Sequence, residues 1–236
     1  MFSNLRSLIF KLDPETAHSL AIKSLKFNFI PNILDDEKNN PLFKTKLFNK
    51  EIENPIGMAA GFDKNAECYN EFSNFGFGFI EIGTVTPMPQ PGNPKKRIFR
   101  LAEDKSLINR LGFNNKGLSE VVDNLKKERD IIIGANIGKN KITPNHKAAD
   151  DYISCFNKLS GYVDYFVINI SSPNTPELRK LQSKKYLQDL VEKLNIERSK
   201  KINKAPFFIK IAPDLEKKEI KEIVDICFKN KIEGII

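Results

Sequence analysis

From residue 54 onward, short apolar runs alternate with amphipathic stretches. Asn54–Gly61, Phe79–Val85, Ile131–Ile137, Val163–Ile170, Pro206–Ile211 and Ile232–Ile236 read as buried strands. Helices are expected between them at 66–75, 116–127, about 146–160, about 184–197 and about 216–229. Strands that are apolar on both faces, each followed by a helix, predict right-handed βαβ units and a parallel sheet. A doubly wound sheet should carry G-x-G-x-x-G after its first strand, and Ala59-Ala60-Gly61-Phe62-Asp63-Lys64 does not match it. Polar residues stand at the carboxyl end of strand after strand: Lys64, Thr84, Asn136, Asn169 and Lys210. That placement is expected of a TIM (β/α)8 barrel. A closed barrel needs eight βα units, and about five and a half are present. The expected fold is therefore an incomplete α/β barrel over 42–236, in a fragment or a truncated gene product.

The first 35 residues follow a different pattern. Leu5, Leu8, Ile9 and Leu12 repeat at helical spacing, and Asp13-Pro14 supplies a cap and a first-turn proline for a second helix. Ala17, Leu20, Ala21 and Leu25 fall near one face of that helix, which should end near Pro31-Asn32. Lys11, Lys23 and Lys26 flank the stripes. The pair reads either as a hairpin docked on the barrel or as an interfacial membrane element. Residues 36–41 are a polar linker, and 42–53 are expected to form a short hairpin turning at Asn49-Lys50.

Composition narrows the function classes. The 236 residues carry a net charge of +8, 40% apolar residues and 18 Phe, enough for a substantial core. Lysine dominates the positive charge, with seven Arg, and it interleaves with Glu, as in 217–223, which suits a solvated helix face more than a nucleic-acid reader. The charge favours an anionic lipid surface or an anionic small substrate. Cys68, Cys155 and Cys227 are too scattered for a disulfide scaffold or a zinc site and should be reduced thiols, and His18 and His146 are too far apart to suggest a metal centre. No apolar run is long enough to span a bilayer, and neither a signal nor a transit peptide pattern is evident.

Two loops hold the candidate chemistry. Asn169-Ile170-Ser171-Ser172-Pro173-Asn174-Thr175-Pro176 leaves the fourth strand, stiffened by two prolines and rich in neutral donors and acceptors. Ile108–Asn115 lies between the second strand and the second helix. Each loop alone reads equally as a turn, and Lys64 and Lys210 could each simply reach solvent. Together they describe a pocket of amides and two ammonium groups, suited to a flat, negatively charged polar heterocycle.

The stretches NPIGMAAGFDKN, GFGFIEIGTVTPMPQPGNPKKRIFRL, INRLGFNN, NIGKNK, NISSPNTPELRKLQ and IKIAPDL resemble, in order, the quinone-linked (class 2) dihydroorotate dehydrogenases, from about residue 5 to 236. The N-terminal helical pair and Ser172 separate this pattern from class 1 enzymes, which lack the pair and use Cys as the base. The resemblance implies oxidation of dihydroorotate to orotate in pyrimidine biosynthesis. FMN would accept the hydride and a membrane quinone would be the final acceptor, in a peripheral protein on the cytoplasmic side of a bacterial-type membrane. It places Ala60, Gly61, Phe62, Asp63 and Lys64 beside FMN, with Thr84, Asn136, Asn169 and Lys210 in contact with it. It places Lys64, Asn109, Arg110, Leu111, Gly112, Phe113, Asn169 and Asn174 on the pyrimidine. Ser172 would be the base, relayed by Thr175 or a water. No metal and no nucleic acid are implied.

The phosphate loops expected after strands 7 and 8 are missing. The alternative is accordingly a non-catalytic remnant that holds no flavin. A flavin barrel acting on RNA bases would want a Cys acid and a basic RNA-binding domain, and neither is evident.

Overall fold

The computed structural model describes residues 2–27 and 41–236. The end of the second helix near Pro31-Asn32 and most of the 36–41 linker lie outside the described residues.

Six parallel strands form one sheet in the order β10-β9-β8-β7-β4-β3. They are β3 (Gly57–Met58), β4 (Phe79–Val85), β7 (Ile132–Ile137), β8 (Tyr165–Asn169), β9 (Phe207–Lys210) and β10 (Gly234–Ile235). Spatial order follows chain order, as in a barrel and not a doubly wound sheet. Helices α3 (Leu118–Asn124), α4 (Ala148–Leu159), α5 (Lys184–Ser199) and α6 (Lys217–Lys229) return the chain between strands.

The pleat sorts side chains into two layers. Ile80, Ile82, Ile133, Ala135, Ile137, Phe166, Ile168, Phe207 and Ile209 share the main core with Val121, Tyr152, Phe156, Leu190, Val191 and Ile226 of the helices. The alternate positions form a second cluster. Phe79, Ile132, Tyr165, Val167 and Phe208 pack there against Leu47, Phe48 and Ile52. Gly134 is small because a Cβ there would lie 2.1 Å from the Tyr165 ring. This cluster seals the amino end of the sheet.

The sealing residues come from a hairpin of β1 (Thr45–Leu47) and β2 (Lys50–Ile52). Its turn is Phe48-Asn49, one residue earlier than the sequence suggested. Both residues have positive φ, 51° and 64°, the geometry of a tight hairpin turn. Asp164 locks the same end, accepting from Arg129 at 2.6 Å, Lys50 at 2.7 Å and the Ile133 amide at 2.9 Å.

Three other expectations change. The first barrel strand shrinks to two residues, because the Asn54 side chain turns back to the Ile56 amide at 2.9 Å. The helix expected at 66–75 is a 3-10 helix over Tyr69–Phe75. Ala66 sits at φ 56°, and the Asp63 carboxylate takes the Glu67 and Cys68 amides. Between β4 and α3 lies an unforeseen antiparallel hairpin, β5 (Ile98–Leu101) and β6 (Ser106–Asn109).

At the N-terminus lie two helices, α1 (Phe2–Ile9) and α2 (Pro14–Lys26). Asp13 caps α2, accepting from the Glu15 and Thr16 amides at 3.0 and 3.2 Å. The docked face of α2 carries Ile22 and Leu25, whereas Leu20 is 49% exposed, so the buried stripe is rotated from the one the sequence suggested. Leu8, Phe10, Leu12 and Phe27 are also exposed. No helix among the described residues is long and apolar enough to cross a membrane.

Candidate active site

The carboxyl ends of the strands open into a cavity of about 290 Å³. It gathers residues that are far apart in sequence: Ala60, Gly61 and Lys64 after β3, Thr84 on β4, Asn169 and Ser172 from β8, and Lys210 on β9. Asn109, Leu111, Gly112, Phe113 and Asn174 complete the wall. Gly61 adopts φ +108°, and a Cβ there would meet nothing within 4 Å, so bare backbone faces open space. A flat ring can lie against such a wall.

The floor is a closed hydrogen-bond network. The Thr84 hydroxyl donates to Asn136 Oδ1 at 2.6 Å, and Asn169 Nδ2 donates to Thr84 Oγ1 and Asn136 Oδ1 at 3.1 and 3.0 Å. Asn136 Nδ2 donates to Glu81 Oε1 at 2.8 Å. Asn169 Oδ1 accepts from the Ser171 amide and hydroxyl, and Tyr152 OH donates to the Asn169 carbonyl. Each amide is thereby fixed in one orientation. Burial raises the Glu81 carboxyl above its ordinary range, opposed by the Asn136 bond and by the Lys210 charge. Burial also lowers the Lys64 ammonium, only partly offset by Glu15, so an anion bound beside Lys64 would relieve an existing cost.

The Ser172 loop is braced from both sides. The Asn174 amide donates to Ser172 Oγ at 3.2 Å, and Asn174 Nδ2 reaches the Asn109 carbonyl and side-chain oxygen. Thr175 is buried, and its hydroxyl makes no hydrogen bond among the described residues.

Most residues expected at the site do line this cavity. Phe62 and Asp63 line a neighbouring one. Asn136 stands behind Thr84 and Asn169, and Arg110 turns away to the Lys96 carbonyl at 2.7 Å. Asn114, Ser171 and Pro173, which the two candidate loops contain but which were given no role of their own, also line the wall; sequence reading missed the buried Glu81 and the bracing pair Gln90 and Asn93. The carboxylate inside FIEIGTV was the available signal for Glu81.

The neighbouring cavity, of about 450 Å³, lies between α2 and the barrel. His18, Ile22, Phe62, Arg97 and Ile98 line it, and Lys64, Leu111 and Asn114 belong to both cavities. The His18 ring bonds the Phe62 carbonyl at 2.7 Å and meets the Phe62 ring edge-on. Burial first, and then Lys64, lowers its pKa, which favours neutral imidazole. The three cysteines are buried free thiols, and burial pushes Cys227 up to about 11.

A parallel β/α barrel sheet with polar strand ends converging on one cavity defines the class, a TIM-barrel-type enzyme scaffold. A family profile described as dihydroorotate dehydrogenase matches residues 42–236. The chain is 48% identical over 240 residues to the dihydroorotate dehydrogenase (quinone) of Christiangramia forsetii, covering 99% of this chain and 71% of that one. It is 48% identical over 242 residues to the enzyme of the same name from Coxiella burnetii, covering 100% and 70%. Among solved structures, DHODH from Eimeria tenella in complex with ferulenol superposes with a TM-score of 0.86 at 38% identity, covering 94% of this chain and 65% of that one. The chain belongs to the dihydroorotate dehydrogenase family, and it spans about seven tenths of the length of the curated relatives it matches.

Proposed function

We propose that the strand-end cavity oxidises dihydroorotate to orotate on FMN and that the α2 cavity admits the quinone that takes the electrons away. The observation that carries this reading is the convergence of Gly61, Lys64, Thr84, Asn169, Ser172 and Lys210 on one cavity. Names of relatives at 48% identity supply the substrate and acceptor classes.

The residues present fit a flavin. Gly61 offers an open backbone wall beside Ala60, the Thr84–Asn136–Asn169 network a fixed floor, and Lys64 and Lys210 positive charge. When bound, FMN supplies the hydride acceptor for the dihydroorotate C6 hydrogen and passes two electrons on to the quinone. Asn109, Asn174 and Asn169 orient the ring amides, and Lys64 meets the substrate carboxylate. Ser172 Oγ takes the C5 proton, and its own hydroxyl proton must leave. The buried Thr175 hydroxyl, three residues on and free to bond, is the candidate relay. The Lys210 ammonium balances negative charge that develops on the acceptor side.

The exposed Leu8, Phe10, Leu12 and Leu20, with Lys11 and Lys23 beside them, support a peripheral membrane seat for the helical pair. The test separates the half-reactions. Flavin-loaded protein should be bleached by dihydroorotate and recolour with a short-chain quinone. Deleting residues 1–27 should abolish recolouring and vesicle binding, while bleaching slows but persists. Unchanged quinone turnover after the deletion would contradict the role of the helices, and bound flavin that dihydroorotate never bleaches would contradict the reaction.

A further inference from the structure

The geometry points to Arg97 as a positioning residue that ties helix α2 to the Ser172 loop, so that the helical pair and the substrate loop become ordered as one unit. Arg97 is 6% exposed. Its Nε and Nη2 donate to the two Glu15 carboxylate oxygens at 2.7 and 2.9 Å, a bidentate pair across 82 residues of sequence. Its Nη1 donates to the Pro91 carbonyl at 2.5 Å and to the Asn93 carbonyl at 2.8 Å. One guanidinium therefore holds α2 with one edge and the 91–93 segment with the other. A lysine cannot span both edges.

The 91–93 segment is the clasp of the site. Asn93 Nδ2 donates to the Arg110 and Asn174 carbonyls, each at 3.0 Å, and the Asn93 amide donates to the Leu111 carbonyl at 2.9 Å. Gln90 Nε2 donates to the Gly112 and Phe113 carbonyls, each at 3.1 Å. Asn174 in turn gives its amide to Ser172 Oγ. A continuous path runs from Glu15 through Arg97, Asn93 and Asn174 to Ser172. The Arg110 amide, bonded to the Arg97 carbonyl at 2.8 Å, fixes the other wall of the cavity to the same residue.

The pair is mostly withdrawn from solvent, with side-chain exposures of 7% for Arg97 and 18% for Glu15, so its loss cannot be made good by water at both ends. Lys95, 3.8 Å from Glu15 and 71% exposed, adds little. The consequence is reciprocal: whatever orders the Asn174–Ser172 loop must also hold α2 in place, and the converse. The functional meaning of this coupling rests on the reading of Ser172 as the base, but the coupling itself is a property of the chain without ligand.

Residue-resolved hydrogen exchange on the 236-residue chain tests it. In the parent, the α2 amides and the amides of Asn93, Arg110 and Asn174 should share one opening reaction, with the same dependence on low urea. In Glu15→Gln and in Arg97→Lys, all of these should exchange about tenfold faster or more, while the central β7 and β8 amides keep the parent rate. Lys95→Ala should leave every rate near the parent's. If α2 opens at lower urea than Asn93, Arg110 and Asn174 in the parent, or if either variant speeds α2 alone, the coupling is wrong. The parent measurement decides the matter even if the variants do not fold. Because no turnover is read, a failed coupling and a failed assignment of Ser172 remain distinguishable.

Discussion

The two ends of the barrel sheet are built from the same strands and obey opposite rules. At the amino end, Phe48, Tyr165 and Phe208 interlock with ring centroids 5.3–5.8 Å apart, and the Asp164 carboxylate there is saturated by Arg129, Lys50 and a backbone amide. At the carboxyl end, Glu81 bonds one amide, Lys64 is charged at a cost, and the Thr175 hydroxyl is unspent. One end spends its interactions on holding the fold, and the other keeps some in reserve for a ligand. Inward positions change from aromatic and aliphatic to polar within a single strand, as from Tyr165 to Val167 to Asn169 on β8.

Substitutions can break that contrast. The largest effect on stability should come from Asp164→Ala, which strands the Ile133 amide. A loss of about 1–3 kcal/mol in chemical denaturation is expected, the scale for leaving the buried Ile133 amide unpaired, because Arg129 and Lys50 keep access to water. Substrate affinity should be unaffected in whatever fraction remains folded. The opposite sign is expected for Lys64→Met. Burial disfavours the Lys64 charge, so the ligand-free protein should melt a few degrees higher, while orotate binding weakens. Calorimetric melts and an orotate titration read both, and a lower melting temperature would remove Lys64 from the reserve.

Acid should loosen α2 before it loosens the sheet. The Arg97 bond, with its charge, holds the Glu15 carboxyl below its ordinary value, against opposing desolvation. A group with a depressed folded pKa contributes stability that is complete above its unfolded pKa and lost as pH falls through the folded one. The Glu15 contribution should therefore fade below about pH 4.5, and Glu15→Gln should flatten that part of the profile. The smallest effect is kinetic. Cys155 is buried and its thiol is pushed up, so it should react with a thiol reagent only as fast as the fold opens.

The same contrast explains what was legible in the sequence. Strands β4, β7, β8 and β9 are covered on both faces and mostly apolar, so near-continuous runs revealed them, and Thr84, Asn136, Asn169 and Lys210 stood out at their ends. The hairpin of β5 and β6 gave no such signal, because every residue of β6 is exposed. The helix at 66–75 failed on a local competition: the Asp63 carboxylate satisfies amides that would otherwise start a regular turn. Gln90 and Asn93 act through backbone carbonyls far away in sequence, and spacing carries no trace of that. Ser172 entered through its motif, since a lone serine between turn residues is ordinary.

On the proposed reading, the carboxyl end does the chemistry and the amino end only holds the fold that carries it. Anaerobic rapid mixing of the flavin-loaded protein with dihydroorotate tests it most directly, in the parent, Ser172→Ala and Asp164→Asn. Ser172→Ala should slow bleaching of the flavin by about 10²–10⁴-fold, the scale of general base catalysis, with orotate affinity nearly unchanged. Asp164→Asn should lower stability and leave the bleaching rate of folded protein at the parent's. Parent-rate bleaching in Ser172→Ala would rule out Ser172 as the base and leave it as a residue of the turn.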